Sequence, residues 1–185
     1  MKIAHTLNSS GTVTNIIILA DEADPNDFGA VTGPDGVGIG WTNNGGDWTA
    51  PAEPEPSLDS LRTDKIADIA AAADALLAAG APVTGGLHVA LDDGSRADLT
   101  AMAATATAAS ANAVPWPESY SRGWIAIENV RIPLAAPGAG LMLAASAGDY
   151  YAAIVQHRRD LKDAALAAED AAALDAIDIA AGWPG

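Results

Sequence analysis

The histidines, His5, His88 and His157, are the side chains best suited to general base work or to nitrogen ligation of a metal. They fall on three separate predicted elements, without the paired spacing of a His-Glu-x-x-His motif and with no cysteine to complete a site. His5 and His88 are therefore read as strand residues and His157 as a residue on a helix face. Asp92-Asp93-Gly94 before Ser95 could form half of an acid-base pair or part of a calcium loop. It lacks the alternating oxygen ligands of such a loop and reads as turn chemistry. Gly36, Gly38 and Gly40 recur every second residue with no helix after them and no phosphate-binding lysine, so they read as strand glycines rather than a nucleotide loop. No Gly-x-Ser-x-Gly elbow occurs, and Ser9, Ser10, Ser119 and Ser121 have no recognisable base beside them. The sequence thus predicts no enzyme, no catalytic residue, no cofactor and no metal. One cluster carries binding chemistry. Trp41, Asn43, Asn44, Asp47 and Trp48 share a predicted hairpin, where rings could stack on a sugar while amides and a carboxylate hydrogen-bond to it; the alternative is that both rings fill the core of a small β module.

The elements that must position these residues follow from patterning. Residues 2–7 and 12–20 are strand-like runs around the turn-forming Asn8-Ser9-Ser10-Gly11, and residues 21–35 read as a surface loop. Residues 36–41 and 47–49 predict a second hairpin around Asn43-Asn44-Gly45-Gly46. Pro51, Pro54 and Pro56 alternate with Glu53 and Glu55, which predicts a stiff extended linker over residues 51–57. A helix then runs from a Ser57 cap to about Ala79, stopped by Gly80 and Pro82, with Leu58, Leu61, Ile69, Leu76 and Leu77 among its apolar positions. Residues 86–91 alternate as a strand up to the Asp92-Asp93-Gly94 turn, and Ser95 or Asp98 opens an alanine-rich helix to about Asn112. Residues 124–127 and 130–134 form a hairpin around Glu128-Asn129. From Ser146 to Ala168 the spacing of Tyr151, Ile154, Leu161, Ala165 and Ala168 predicts a long amphipathic helix, opened by a Ser146/Asp149 capping box, with Arg159, Asp160 and Asp163 on its wet side. A short helix follows over Ala171 to Ile177, and Trp183, the large ring after two alanine-rich helices, is expected to be a buried anchor. The fold class is α+β: a small N-terminal antiparallel β module over residues 1–50, the linker, and over residues 58–185 helices packed on a small antiparallel sheet.

Half of the 185 residues are hydrophobic, enough to bury a core. The formal net charge is −15, from 24 acids against 9 bases, and no basic stripe interrupts it. Such a surface repels phosphate backbones and anionic bilayers, which predicts neither nucleic acid nor membrane as a partner. The absence of cysteine excludes disulfides. Met1 to Thr6 lack the apolar core of a signal peptide, and Leu134 to Ala147 is too short and too rich in Gly and Pro to span a bilayer, so the expectation is a soluble protein made in the cytoplasm.

The closing segment Glu-Asp-Ala-Ala-Ala-Leu-Asp-Ala-Ile-Asp-Ile-Ala-Ala-Gly-Trp-Pro, residues 169–184, follows a helix bearing His157-Arg158-Arg159 and resembles the end of a domain of unknown function in phage tail fibre and tail-associated proteins. The segment Val-Gly-Ile-Gly-Trp, followed by Gly-Gly and Trp48, resembles the leading segments of phage tail proteins. The resemblance covers roughly Leu58 to Pro184 in order of elements, with Trp124 before a hairpin carrying Asn129, and Gly182-Trp183-Pro184 is its most specific part. Trp124, Asn129, Trp183 and Pro184 are accordingly expected as structural anchors. The resemblance implies a structural protein of the virion, associated with tail fibre or baseplate, that contacts other tail proteins as a homo- or hetero-oligomer. Rival expectations are a tail fibre assembly chaperone absent from the finished particle, and a receptor module binding host surface glycan through Trp41 and Trp48. The first fifty residues, with Phe28, Trp41 and Trp48 as their only aromatics, lie near the size at which a chain sustains its own core, and are expected to act as a docking module.

Overall fold

Runs of β-branched residues on either side of a polar tetrapeptide make the first ladder. In the structure, a computed structural model that describes residues 1–185, β1 (Lys2–Leu7) pairs antiparallel with β2 (Val13–Leu19), and β3 (Ala30–Val31) pairs with the opposite edge of β1. Asn8 Oδ1 accepts from the N–H groups of Ser10 (3.0 Å) and Thr12 (2.9 Å), which closes the connecting turn. One face of the sheet buries Ala4, Leu19 and Ala30 against Ile17 and Ala23. β4 (Thr42–Asn44) and β5 (Asp47–Thr49) form the second hairpin, turning at Gly45 and Gly46, both at positive φ. The expected strand over residues 36–41 is not formed. Gly36 and Gly40 both stand at φ 89°, which breaks the alternation, and the partner strand starts at Thr42 instead. Hydrogen bonds from Val13 N–H to Trp41 O (2.7 Å) and from Gly40 N–H to Val13 O (2.9 Å) tie this segment to β2.

The chain divides into two units, Met1–Glu55 and Pro56–Gly185. In the second, Ser57 Oγ accepts from Ser60 N–H and caps α1 (Leu58–Ala79). β6 (Ala81–Val83) and β7 (Leu87–Val89) form a ladder. α1 stops before Gly80 and Pro82 as expected, and Pro82 itself lies in β6, where a two-stranded ladder has a free edge for a residue without an N–H. α2 (Asp93–Ser110) begins earlier than expected: Asp92 Oδ1 accepts from Ser95 N–H (3.0 Å) and Oδ2 from Ser95 Oγ (2.6 Å). Asp92-Asp93-Gly94 is thus a helix cap and first turn rather than a free-standing turn. After α3 (Glu118–Ser121), β8 (Trp124–Ile125) pairs with β9 (Arg131–Ile132), then α4 (Pro137–Ala167) and α5 (Ala171–Asp175) complete the unit. The architecture is α+β, with two separate two-stranded ladders in place of one sheet, joined where Ile127 N–H donates to His88 O at 2.9 Å.

The largest departure is the start of α4. Ser146 and Asp149 lie inside the helix, which begins nine residues earlier at Pro137, whose fixed φ and missing N–H suit a first helical position. Gly140 has a packing reason in that first turn: a Cβ there would stand 3.1 Å from the Trp116 ring, whose Nε1–H donates to Leu134 O. One core gathers Leu91, Leu99, Met102, Leu134, Leu143 and Ala147 around α2, α4 and the ladders. A second gathers Ile69, Ala165, Ala168 and Leu174 where α1, α4 and α5 meet. The amphipathic face expected on α4 is present, with Ile154 and Ala165 buried, Arg159, Asp160 and Asp163 exposed, and Arg159 Nε donating to Asp163 at 2.8 Å.

The carboxylates give this unit a defined response to pH. Hydrogen bonds from Ser95 hold Asp92 below its ordinary value of 3.8, and the backbone N–H of His88 followed by its side chain holds Glu128 below 4.5. Both groups are favoured as carboxylates in the folded state, so their contribution is present above those values and lost as pH falls through the lowered folded ones. Added salt at pH 7 screens the −15 charge and is expected to raise the melting temperature, while acidification below about pH 4 is expected to lower it as Asp92 and Glu128 take up protons. Thermal melts across salt and pH check this. A melting temperature that falls with moderate salt at pH 7 would show that specific ion pairs outweigh the repulsion.

Candidate functional site

In the first unit, β4 and β5 do bring Trp41, Asn43, Asn44, Asp47 and Trp48 onto one hairpin. Much of that hairpin is occupied with structure. The half-buried Trp48 ring covers His5, with centroids 5.4 Å apart, and a Cβ on Gly33 would stand 2.9 Å from it. His5 is buried and its Nε2–H donates to Val37 O at 3.1 Å. Asn43 Oδ1 accepts from Gly46 N–H (2.8 Å) and its own N–H donates to Gly11 O, so its side-chain oxygen serves the turn. Trp41 is half-buried, while Asn44 and Asp47 are exposed at the turn.

The open part of this unit lies elsewhere on the β1-β2 sheet. Ile3 and Ile18 face each other across the ladder at 55% and 70% exposure, and exposed Ile16 continues the patch beside them. β2 is the edge strand of its sheet; its outer edge is tied to Gly40 and Trp41 at Val13 and carries no further strand beyond it, and over Val13–Leu19 the strand has no charge. Along that strand the N–H of Ile16 is taken by Asn15 Oδ1 at 2.9 Å, a side chain of its own neighbour. A long uncharged edge with an apolar face is a template for another strand. The sequence does hold a signal for it: in Ile16-Ile17-Ile18 successive side chains alternate faces, so with Ile17 half-buried on the packed face the outer two fall together on the other.

In the second unit the expected anchors take different roles. Trp124 packs half-buried against the main core, and exposed Asn129 makes the β8–β9 turn at φ 60°, its N–H bonded to Ala126 O. Trp183 is half-buried, which corrects the expectation of a buried ring. It stands edge-on to His157 at 4.6 Å, its Nε1–H donates to Ile179 O, and Pro184 beside it is also half-buried. His157 donates through Nε2 to Ala181 O at 2.9 Å, so this pair pins the chain end onto α4. His88 Nδ1 meets Glu128 Oε1 at 2.7 Å, a contact between the two ladders. The histidines stay on their three separate elements, and no group of three or more His, Asp or Glu gathers. A groove of about 410 Å³ runs between α2 and α4, lined by Leu99, Ala103, Leu141 and Gly148, with Arg96 at one end stacked 4.3 Å over Tyr151 and paired with Asp93. The sequence reading missed this groove because it placed the start of α4 after Leu141. No helix is long and apolar enough to cross a membrane.

Residues 60–181 match a family described as a domain of unknown function, DUF4376, and the chain belongs to that family. The matched stretch lies wholly within the second unit. No curated protein and no solved structure matches the chain.

Proposed function

We propose that this DUF4376 protein is a structural component of a phage tail, associated with tail fibre or baseplate, and that it works by protein-protein contact rather than by catalysis. It is made in the host cytoplasm and carried in the virion. The observation that supports contact most is the uncovered Ile3-Ile16-Ile18 face beside the uncharged outer edge of β2 beyond Val13. The occupant this edge fits is an extended apolar segment of a neighbouring tail protein, added as a further strand, with backbone hydrogen bonds giving affinity and the isoleucines giving selectivity. The resemblance of segments near the chain's two ends to tail-associated proteins supports this location.

The test is Ile18→Lys in the full chain. At 70% exposure this side chain contributes little to folding, so the melting temperature should stay within a degree or two of wild type. Burial of an isoleucine in a contact stabilises by about 1.5 to 3 kcal/mol, so recovery of the variant in purified particles should fall roughly ten- to a hundredfold. Recovery equal to wild type would overturn the docking role of this edge. A glycan-binding module would instead lose host attachment on substitution of Trp41 or Trp48 and be indifferent to Ile18.

A further inference from the structure

The first unit carries a one-sided charge that its own fold does not balance. Between Met1 and Glu55 stand eight acids and a single base, Lys2, whereas the second unit has sixteen acids to eight bases. From Ile3 to Leu61 no lysine or arginine occurs. In the second unit Arg62, Arg96, Arg158 and Arg159 each stand beside a carboxylate. In the first, the only ion pair is that of the Met1 amino group with Asp21 at 2.5 Å, and all eight acidic residues are exposed. Half of them follow directly on β2: after Leu19 come Asp21, Glu22, Asp24 and Asp27, of which Asp24 is engaged in capping the helical turn Pro25–Phe28. Edge strands are commonly guarded by a lysine of their own, and β2 has none.

We infer that the strand received by β2 is a basic one, with aliphatic residues at alternate positions and lysine or arginine where it passes Asp21 and Glu22. The inference rests on docking by β2 and names the chemistry of what docks there. Charge complementarity identifies the occupant. A second copy of this chain does not fit, because its β2 brings the same carboxylates and like charges repel. The chain's own path sets the length. Gly40 and Trp41 hold the outer edge at Val13, so the open stretch runs from Thr14 to Ala20, about 24 Å at 3.4 Å per residue. Side chains of the added strand that fall opposite Ile16 and Ile18 lie on the same face and extend the apolar cover toward Ile3. The end of the slot at Gly40 and Trp41 is uncharged and the end at Asp21 and Glu22 is acidic, so the bases belong at one end of the partner strand. Carboxylates at such a rim steer the encounter and select among strands, while the ladder and the isoleucines hold the complex.

Binding of synthetic peptides to the full chain tests it. Three peptides share the core Thr-Val-Thr-Val-Thr-Val and carry two lysines, two serines or two glutamates at both ends, with fluorescence anisotropy as the readout at low and moderate salt. The lysine peptide is expected to bind most tightly and the glutamate peptide least, and the difference should shrink as salt rises. Glu22→Lys should weaken the lysine peptide about two- to fivefold and strengthen the glutamate peptide by a similar factor. Ile18→Ser, which changes no charge, should weaken all three. A lysine peptide with proline at its central valine should lose binding, since it cannot complete the ladder. Equal binding of the three peptides, or an order of affinities indifferent to Glu22→Lys, with Ile18→Ser still weakening them, would overturn the basic partner and leave docking by β2 intact. A proline peptide that binds as well as its parent, affinities indifferent to Ile18→Ser, or no binding at the highest soluble concentration would overturn both.

Discussion

Gly80→Ala is expected to destabilise the second unit by about 3 kcal/mol or more, among the largest effects of any single methyl group in the chain. Gly80 ends α1 at φ 85° and ψ 169°, a conformation that side-chain-bearing residues essentially do not adopt. The added Cβ would also stand 2.6 Å from Val89 O and 2.6 Å from Ile127 Cδ1. The isoleucine can rotate away, but the carbonyl belongs to β7, which is paired with β6 immediately after the helix. Relief therefore requires moving the ladder that covers buried Ala81 and Val89. Denaturant unfolding of wild type and variant measures the difference, and a loss below about 1 kcal/mol would show that the α1–β6 junction is far more pliant than its geometry implies.

The second large effect is Ile154→Ala, expected to cost about 2 to 5 kcal/mol. Ile154 has no exposed surface and lies on the inward face of α4 with Leu161 and Ala165. Aromatics are 5% of the chain and many of its buried positions are alanines, so few neighbours are large enough to close over the space left behind. Trp183→Ala should cost less, about 1 to 2 kcal/mol, because its half-buried ring contributes mainly an edge-on contact to His157 and a cap on the chain end. Thermal or chemical unfolding that ranks Trp183→Ala above Ile154→Ala would place the weight of the unit at its C-terminus and contradict this ordering.

Local signals in the sequence carried most of the elements. Ser57 and Gly80 bound α1 because cap chemistry acts within a few residues, and the inward face of α4 was legible because Ile154, Leu161 and Ala165 recur at helical spacing. What failed depended on distant partners. Pro137 and Gly140 look like a loop until Trp116 is seen to need the space above Gly140. Gly36 and Gly40 alternate like strand glycines, but their backbone conformation is fixed by hydrogen bonding of the following segment to β2. The isoleucine face of β2 was legible only in part: the alternation of Ile16-Ile17-Ile18 says that one face carries two of them, and only the packed module says that this is the uncovered face.

The claim that this chain is a tail structural protein is tested most directly by quantitative mass spectrometry of purified phage particles from cells producing it. Its peptides should be present at a fixed, near-integral ratio to the major tail proteins and should persist through repeated gradient purification. Abundant peptides in the lysate together with their absence from finished particles would contradict the structural role and identify an assembly factor instead.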